Sequence, residues 1–195
     1  GSPRLTEEYL REAPNCRLIV HAAGTVQPIV SDDVWQRGIR VTCSSNAIGY
    51  GVAETALGLA IAASKNFFQL NDLVHAGGWR ESGVERVVDL VDITIGVIGA
   101  GMVGRHFLEL LRPFEVDVVS DPNVPEDVCQ ALGARKVELE ELLRISDIVS
   151  IHAPSIPSTD NMINAETLKL MKKNAGLINT SRGSLVNEQD LYAHM

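Results

Sequence analysis

An arginine at the end of an apolar segment is the first residue whose type and place suggest chemistry. The stretch AGLINTSRGS (175–184) begins like a buried strand, turns polar, and reaches Arg182 beside Gly183. A guanidinium grips a carboxylate through two parallel hydrogen bonds and stays charged at any working pH. At the end of a strand, Arg182 would therefore suit a 2-oxo or 2-hydroxy acid. A surface arginine in a loop would show the same local pattern, and both interpretations stay open at this point.

A second segment, GAGMVG (99–104), has the spacing G-x-G-x-x-G of a dinucleotide-binding turn. It directly follows the apolar segment ITIGVI and opens the helical segment MVGRHFLELL. Gly99 allows the tight turn, Gly101 lets the backbone approach a pyrophosphate, and Gly104 lets helix and strand pack closely. The N–H groups at the helix start, together with the helix dipole, would hold the phosphates.

An acid at the required distance completes this pattern. Asp121 lies 22 positions after Gly99, at the end of the next predicted strand, VDVVSDP. A carboxylate there accepts hydrogen bonds from the ribose hydroxyls and repels a 2′-phosphate, which favours NAD over NADP. A glycine-rich turn with an unrelated aspartate is the alternative. Because strand, turn, helix, strand and acid follow one another in the required order, we predict an NAD site.

Strands that alternate with helices must position these residues. Strand-length segments lie at 17–24, 39–42, 92–99, 116–122, 134–140, 147–154 and 175–181. This alternation predicts a parallel sheet covered on both faces, in a doubly wound α/β fold of the Rossmann type. Ligands bind outside the carboxyl ends of such strands, where SIHAPSIPST and LINTSRGS turn polar. The segment 52–65, nearly all Ala, Leu, Ile and Val, predicts a long helix buried on most sides.

Composition and charge narrow the classes of partner. The 195 residues suit one or two domains, and the formal charge of −8 comes with scattered lysines and arginines, which argues against nucleic acid. Three widely spaced cysteines without a CxxC favour free thiols over disulfides or a metal site. No apolar run approaches the length of a membrane span and no signal-peptide pattern occurs, so we expect a cytoplasmic protein without a membrane partner.

Two other nucleotide-binding classes lack their motifs. None of the tyrosines is followed by lysine in a Tyr-x-x-x-Lys pattern, which excludes the short-chain dehydrogenases. No GxxxxGK[ST] occurs, which argues against a P-loop nucleotide triphosphatase.

Several motifs together carry a family resemblance: VAE, GAGMVG, Asp121-Pro122, IHAP, MINAETLKLMKKNAGLINTSRG and SLVNEQDL. With them the chain resembles the D-isomer-specific 2-hydroxyacid dehydrogenase family over nearly its whole length, most strongly over 92–195. The resemblance implies a partial, flavodoxin-like substrate domain at 1–50. It implies an NAD-binding domain at 51–195 that includes the interdomain helix 52–65 and is incomplete at its C-terminus.

The same resemblance implies an activity and an assembly. A hydride would pass between C4 of the nicotinamide of NAD(H) and C2 of a D-2-hydroxy or 2-oxo acid, in an active site between the two domains. The family's dimer is built largely on the cofactor domain and the long helix, so we expect a homodimer.

The resemblance also assigns roles to residues. Arg182 corresponds to the family's substrate arginine, which would make it catalytic. The loop that includes Ala23, Gly24 and Thr25 would approach the substrate carboxylate and the nicotinamide. The implied cofactor contacts are Thr25, Gly99, Gly101, Met102, Val103, Gly104, Asp121, Pro122, His152, Ala153, Pro154, Thr180, Ser181 and Arg182, with backbone donors from Met102 and Val103.

The chain departs from the family in two places. The family usually has an Asp shortly after the first glycine loop, where this chain reads GTVQPIVSDD. Glyoxylate, hydroxypyruvate, phosphoglycerate and bulkier oxo acids therefore all stay open as substrates. The family's acid–base histidine and its glutamate lie well beyond the SRG segment, and none of the histidines here has that context.

We therefore expect this chain to be a fragment that lacks dehydrogenase activity by itself. The alternative function is a dehydrogenase-like regulatory protein that binds NAD(H) without turnover. Turnover by the full-length protein would separate the two.

Overall fold

Two parallel sheets organise the residues that the computed structural model describes, which are 2–79, 87–114 and 117–195. Contacts divide the chain into two units, Gly1–Gly51 and Val52–Met195. The first unit holds a two-stranded sheet and the second a five-stranded one. The predicted α/β fold with parallel strands is confirmed. The assignment of 1–50 to a substrate domain stays a prediction.

The first unit has one strand–helix–strand repeat. Its elements are α1 (Glu7–Arg11), β1 (Leu18–His21), α2 (Asp32–Gln36) and β2 (Arg40–Cys43). Helix α2 ends shortly before Gly38, which adopts a φ of +67° that other residues disfavour. Leu10, Val34 and Ile39 are buried together and form a small core.

The long helix α3 (Ser45–Ser64) begins earlier than the predicted start at residue 52. Ala53, Ala56 and Ala60 are fully buried in the core of the second unit. Their spacing of three and four residues places them on one stripe of the helix. Much of the remaining surface of α3 is exposed, so the expectation of burial on most sides is wrong.

Helix α3 also corrects the expectation about membrane-length segments. Among the described residues it is the one helix long and apolar enough to cross a membrane, with 20 residues and a mean hydropathy of 1.3. This is weak evidence, because the core helix of a soluble protein passes the same test. Helix α4 (Phe67–His75) follows almost at once and was not predicted, since two consecutive helices break the strand–helix alternation.

The five-stranded sheet has the order β5-β4-β3-β6-β7. Its strands are β3 (Ile95–Ile98), β4 (Asp117–Ser120), β5 (Arg135–Lys136), β6 (Ile148–Ile151) and β7 (Gly176–Asn179). The other helices are α5 (Met102–Leu111), α6 (Glu126–Ala131), α7 (Leu139–Ile145), α8 (Ala165–Leu168) and α9 (Glu188–His194). Every residue of β3 and β6 is buried, as expected for parallel strands covered on both faces.

Two hydrophobic clusters cover the two faces of this sheet. Ile95 and Val97 belong to the cluster that contains Phe107 of α5, and Ile98 belongs to the cluster that contains Leu142 of α7. Successive side chains of a strand point to opposite faces, so the clusters lie on opposite sides of β3. The central strand, and with it the loop that follows, is therefore held from both sides.

Candidate functional site

The three glycines between β3 and the first turn of α5 each meet a different constraint. Gly99 has a φ of +92°, and a Cβ there would lie 2.8 Å from the backbone nitrogen of Ala153. A Cβ on Gly104 would lie 2.0 Å from the carbonyl oxygen of Gly99. Nothing lies within 4 Å of the position that a Cβ on Gly101 would take. The loop therefore combines a tight turn, a close helix–strand contact and an open approach to the backbone.

The start of α5 faces this open space with backbone donors. Met102 is the first residue of the helix, which has 10 residues, and Gly101 at the N-cap has no side chain to accept from its first N–H groups. The N–H groups at a helix start and the helix dipole together attract anions. Met102 and Val103 are thus placed where backbone donors to a phosphate were predicted.

Asp121 follows β4 and braces the glycine loop. Its Oδ2 accepts a hydrogen bond from the N–H of Ala100 at 2.8 Å, and its Oδ1 accepts one from the N–H of Asn123 at 2.9 Å. Each carboxylate oxygen can accept two hydrogen bonds, so both retain capacity for a ribose hydroxyl. The carboxylate was predicted as a ribose ligand, and its contact with Ala100 gives it a second, structural task.

A cavity of about 500 Å³ lies beside Asp121. It brings together five of the predicted site residues, Gly99, Asp121, Pro122, Ala153 and Pro154. Cavities at the carboxyl ends of parallel strands are the usual ligand sites of such sheets. A second cavity, of about 540 Å³, is lined by Asp147, Ile148 and Gly176 at the amino ends of β6 and β7, which is the wrong end for a dinucleotide.

The same cavity is lined by residues that the sequence did not single out. Lys136 of β5 donates from Nζ to the carbonyl oxygen of Val124 at 2.6 Å. Thr159 donates from Oγ1 to the carbonyl oxygen of Pro154 at 2.6 Å and thereby holds the loop after β6. The polar run SIHAPSIPST was a signal for Thr159, whereas Lys136 reaches the cavity through the pairing of β5 with β4, which no local pattern reveals.

His152 lies in the core at the end of β6. It is 9% exposed, its ring centroid lies 5.0 Å from that of Phe107, and its Nε2 lies 2.9 Å from Oγ of Ser150. Burial lowers the pKa of His152 to about 4, so the imidazole is neutral at neutral pH. Its Nδ1 is buried without a hydrogen-bond partner among the described residues. The predicted contact of His152 with a cofactor stays a prediction.

Arg182 is exposed in the loop after β7. The ends of β3, β6 and β7 lie side by side, because Ile98 pairs with Ile151 and Ile151 pairs with Asn179. The loop therefore emerges at the same sheet edge as the glycine loop. The guanidinium donates from Nη1 to the carbonyl oxygen of Ser181 at 2.7 Å, which leaves most of its N–H groups for another partner.

Thr180 and Ser181 come just before this arginine. Ser181 donates from Oγ to the carbonyl oxygen of Ile151 at 2.8 Å and fixes the loop to the end of β6. The hydroxyl of Thr180 is buried and has no hydrogen-bond partner among the described residues. A buried polar atom of this kind calls for an explanation, and a ligand at the sheet edge would supply the missing partner.

Ala23, Gly24 and Thr25 belong to the first unit and follow β1. The carbonyl oxygen of Ala23 accepts from the N–H of Ser44 at 3.0 Å, and that of Gly24 accepts from Oγ of Ser45 at 2.9 Å. The loop is thus tied to the end of β2. Its predicted contacts with substrate and cofactor stay predictions.

The residues of the second unit fit a bound dinucleotide. The open space at Gly101, the helix start behind it, the Asp121 carboxylate beside a cavity and the unpartnered Thr180 hydroxyl all lie on loops at the carboxyl ends of the strands. A phosphate needs backbone donors and room, a ribose needs an acceptor, and a carboxamide needs a polar partner.

Known proteins support the same assignment. The family model for the NAD-binding domain of D-isomer specific 2-hydroxyacid dehydrogenases matches residues 57–195. The D-3-phosphoglycerate dehydrogenase of Methanocaldococcus jannaschii is 31% identical, over 97% of this chain and 36% of that protein. The glyoxylate reductase of Pyrococcus horikoshii is 32% identical, over 97% of this chain and 59% of that protein.

A solved structure agrees with these sequences. The D-lactate dehydrogenase of Aquifex aeolicus, complexed with NAD and lactic acid, has a TM-score of 0.80 at 30% identity and covers 97% of this chain. The chain spans 57% of that structure, and 36% and 59% of the two relatives. The predicted family resemblance and the prediction of NAD as cofactor are confirmed. The chain belongs to the D-isomer specific 2-hydroxyacid dehydrogenase family, and its residues 57–195 match the model of that family's NAD-binding domain.

Proposed function

We propose that the full-length protein is an NAD-dependent oxidoreductase of D-2-hydroxy acids. The observation that carries the proposal is the exposed guanidinium of Arg182 at the sheet edge that also holds the glycine loop. The nicotinamide, when bound, supplies the hydride acceptor or donor. The relative from Aquifex aeolicus, whose structure holds NAD and lactic acid, is consistent with a small acid as substrate.

Arg182 would hold and orient the substrate. A fork of two N–H groups fixes the plane of a carboxylate as well as its distance, and this sets the direction of the neighbouring C2 atom. Thr180 and Ser181 would stand on the nicotinamide side of the same loop. Since Ser181 is tied to Ile151, the loop is anchored to the sheet before any ligand binds.

The reaction also needs a group that exchanges a proton with the substrate oxygen. His152 does not suit this role, because it is packed against Phe107 and its pKa of about 4 keeps it neutral at neutral pH. The acid–base histidine that the family resemblance implies stays a prediction for the full-length protein.

Asp121 supports a preference for NAD over NADP. Its two oxygens already accept from two backbone N–H groups, which fixes the carboxylate at the rim of the cavity. A 2′-phosphate placed there would meet this negative charge at short range, whereas two ribose hydroxyls would donate to it.

A homodimer is proposed from the surface of α3 and α4. Leu59 on α3 and Phe67, Phe68 and Val74 on α4 are large apolar side chains that stay exposed, and no residue of α4 is buried. Large apolar side chains left exposed on two consecutive helices favour an interaction surface, and a second copy fits the family resemblance. We expect twice the chain mass by light scattering for the wild type and the chain mass for Phe68→Asp.

A control variant tests whether the loss of any exposed aromatic side chain would change the measured mass. Tyr192→Asp removes an aromatic residue of α9 that is 85% exposed and should leave the mass unchanged. A wild-type protein with the mass of a single chain would contradict the proposed dimer.

Turnover tests the enzymatic function. The full-length protein is mixed with NADH and, in turn, with glyoxylate, hydroxypyruvate, pyruvate and bulkier 2-oxo acids, and the loss of NADH absorbance is followed. Steady oxidation with at least one acid is the expected result. Tight NADH binding without oxidation by any acid would instead favour the regulatory alternative.

A further inference from the structure

The side chain of Asn179 closes a clip over the residues that follow β7. Its Oδ1 accepts from the N–H of Ser181 at 3.0 Å, and its Nδ2 donates to the carbonyl oxygen of Arg182 at 2.9 Å. Both ends of one planar amide are therefore used within its own loop. An asparagine offers an acceptor and a donor on one short side chain, whereas aspartate offers acceptors only.

The clip stands on a fixed base. Asn179 is the last residue of β7 and is paired with Ile151 of β6, and Ser181 donates from Oγ to the carbonyl oxygen of that same Ile151. Arg182 then has an extended backbone, with φ −143° and ψ 143°, and leads into the 3₁₀ turn Gly183–Leu185. The direction in which the side chain of Arg182 leaves the backbone thus depends on the hydrogen bonds of Asn179.

Asn179 holds its loop without taking part in the packing of the core. The residue is exposed and belongs to none of the buried clusters. The guanidinium of Arg182 rests on the carbonyl oxygen of Ser181, the residue whose N–H group the clip holds. A change at Asn179 would therefore move both the backbone of Arg182 and the place where its guanidinium rests.

We propose that Asn179 is a positioning residue that sets the geometry from which Arg182 binds the substrate carboxylate. The proposal rests on the proposed role of Arg182 in substrate binding. Asn179 itself need not touch the substrate. Its effect passes through the two hydrogen bonds to the loop.

Two variants dissect the clip in the full-length protein. Asn179→Ser can still accept from the N–H of Ser181, as a serine does two residues before a turn amide, but it is too short to reach Arg182. Asn179→Asp keeps the acceptor and turns an oxygen toward the carbonyl of Arg182. The matched control is Asn71→Ser on α4, where the exposed amide donates from Nδ2 to Oδ1 of its neighbour Asp72 at 3.3 Å.

Substrate binding is measured by the KM and kcat for the best 2-oxo acid and by the inhibition constant of oxamate. Cofactor binding is measured by the Kd of NADH, the stability of the fold by the melting temperature, and the loop by hydrogen exchange over 176–185. For both Asn179 variants we expect the KM and the oxamate constant to rise roughly tenfold, the scale of one lost hydrogen bond. Hydrogen exchange at the backbone amides of Ser181 and Arg182 should become faster. The Kd of NADH should rise far less than the KM and the oxamate constant, because only one side of the cofactor meets this loop, and the melting temperature should stay close to that of Asn71→Ser.

Three results would overturn the inference. Unchanged oxamate inhibition and unchanged exchange would show that Asn179 does not hold the loop. A lower melting temperature with NADH binding lost in parallel would make Asn179 a support of the fold. A wild-type protein that binds NADH but neither reduces a 2-oxo acid nor binds oxamate would remove the proposed function, and the inference with it, whatever the exchange data show.

Discussion

Alanine at Gly104 and alanine at Gly101 add the same methyl group and should damage different properties. At Gly104 the new Cβ would lie 2.0 Å from the carbonyl oxygen of Gly99, where nonbonded carbon and oxygen atoms need well over 3 Å. That oxygen belongs to the backbone of a turn packed against Ala153, so no side-chain rotation relieves the clash. Helix α5 must move away from β3 by more than about 1 Å, at a cost of about 1–3 kcal/mol.

The magnitude translates into a measurable shift. For a chain of this size about 1 kcal/mol lowers the melting temperature by roughly 2–4 °C, so Gly104→Ala should melt about 2–12 °C lower. At Gly101 nothing lies within 4 Å, so Gly101→Ala should melt within about 1–2 °C of the wild type. Its methyl group would instead fill the space through which a pyrophosphate approaches, and we expect at least a roughly tenfold weaker affinity for NADH.

The assay pairs thermal unfolding without cofactor with an NADH titration followed by fluorescence, for both variants and the wild type. Wild-type NADH affinity in Gly101→Ala would refute the approach of the pyrophosphate to this loop. A wild-type melting temperature in Gly104→Ala would refute the close contact between helix and turn.

Two further predictions concern Asp121 and His152. Asp121→Ser should weaken NADH binding more than NADPH binding in parallel titrations, and an unchanged ratio of the two affinities would contradict the ribose contact. The variant should also lower the melting temperature without cofactor, because the buried N–H of Ala100 loses its acceptor at a cost of about 1–3 kcal/mol. The pKa of His152 is lowered to about 4 in the folded protein, from 6.5. The unfolded chain therefore binds a proton at this histidine more readily than the folded protein does. The free energy of unfolding is at its full value above pH 6.5 and decreases as the pH falls towards 4, by about 3 kcal/mol in all. Urea unfolding should show that the free energy of unfolding decreases from pH 7 to pH 4.5 in the wild type and decreases less in His152→Phe. Equal decreases in the two proteins would contradict the lowered pKa of His152.

The parts of the site that the sequence predicted are those whose physics is local. The spacing of Gly99, Gly101 and Gly104 reports a turn, an open approach and a close contact. The positive φ of Gly99 and the contact of Gly104 with the carbonyl oxygen of Gly99 arise within six consecutive residues, whereas the contact of Gly99 with Ala153 does not. The position of Asp121 could be predicted because one helix and one strand separate it from the glycine loop, and their lengths set the spacing of about 20 residues. The order of apolar and polar residues was therefore enough to place the phosphate loop and the acid at one sheet edge.

The parts that the sequence missed depend on distant partners. Lys136 reaches the cavity because β5 pairs with β4, and His152 is buried beside Phe107 of the distant helix α5. Helix α4 was missed because it follows α3 without an intervening strand. The clip of Asn179 needs the backbone path of its loop, which the letters NTSRG alone do not describe.

The role of Arg182 is the central claim, and the specificity constant kcat/KM tests it most directly. The full-length wild type is compared with Arg182→Gln and Arg182→Lys, using NADH and the best 2-oxo acid. We expect kcat/KM to fall by about 10²–10³ in Arg182→Gln, and in Arg182→Lys to fall between that value and the wild type, because lysine keeps the charge but loses the fork. The Kd of NADH should change far less. Equal kcat/KM in the three proteins would contradict the claim that this arginine holds the substrate.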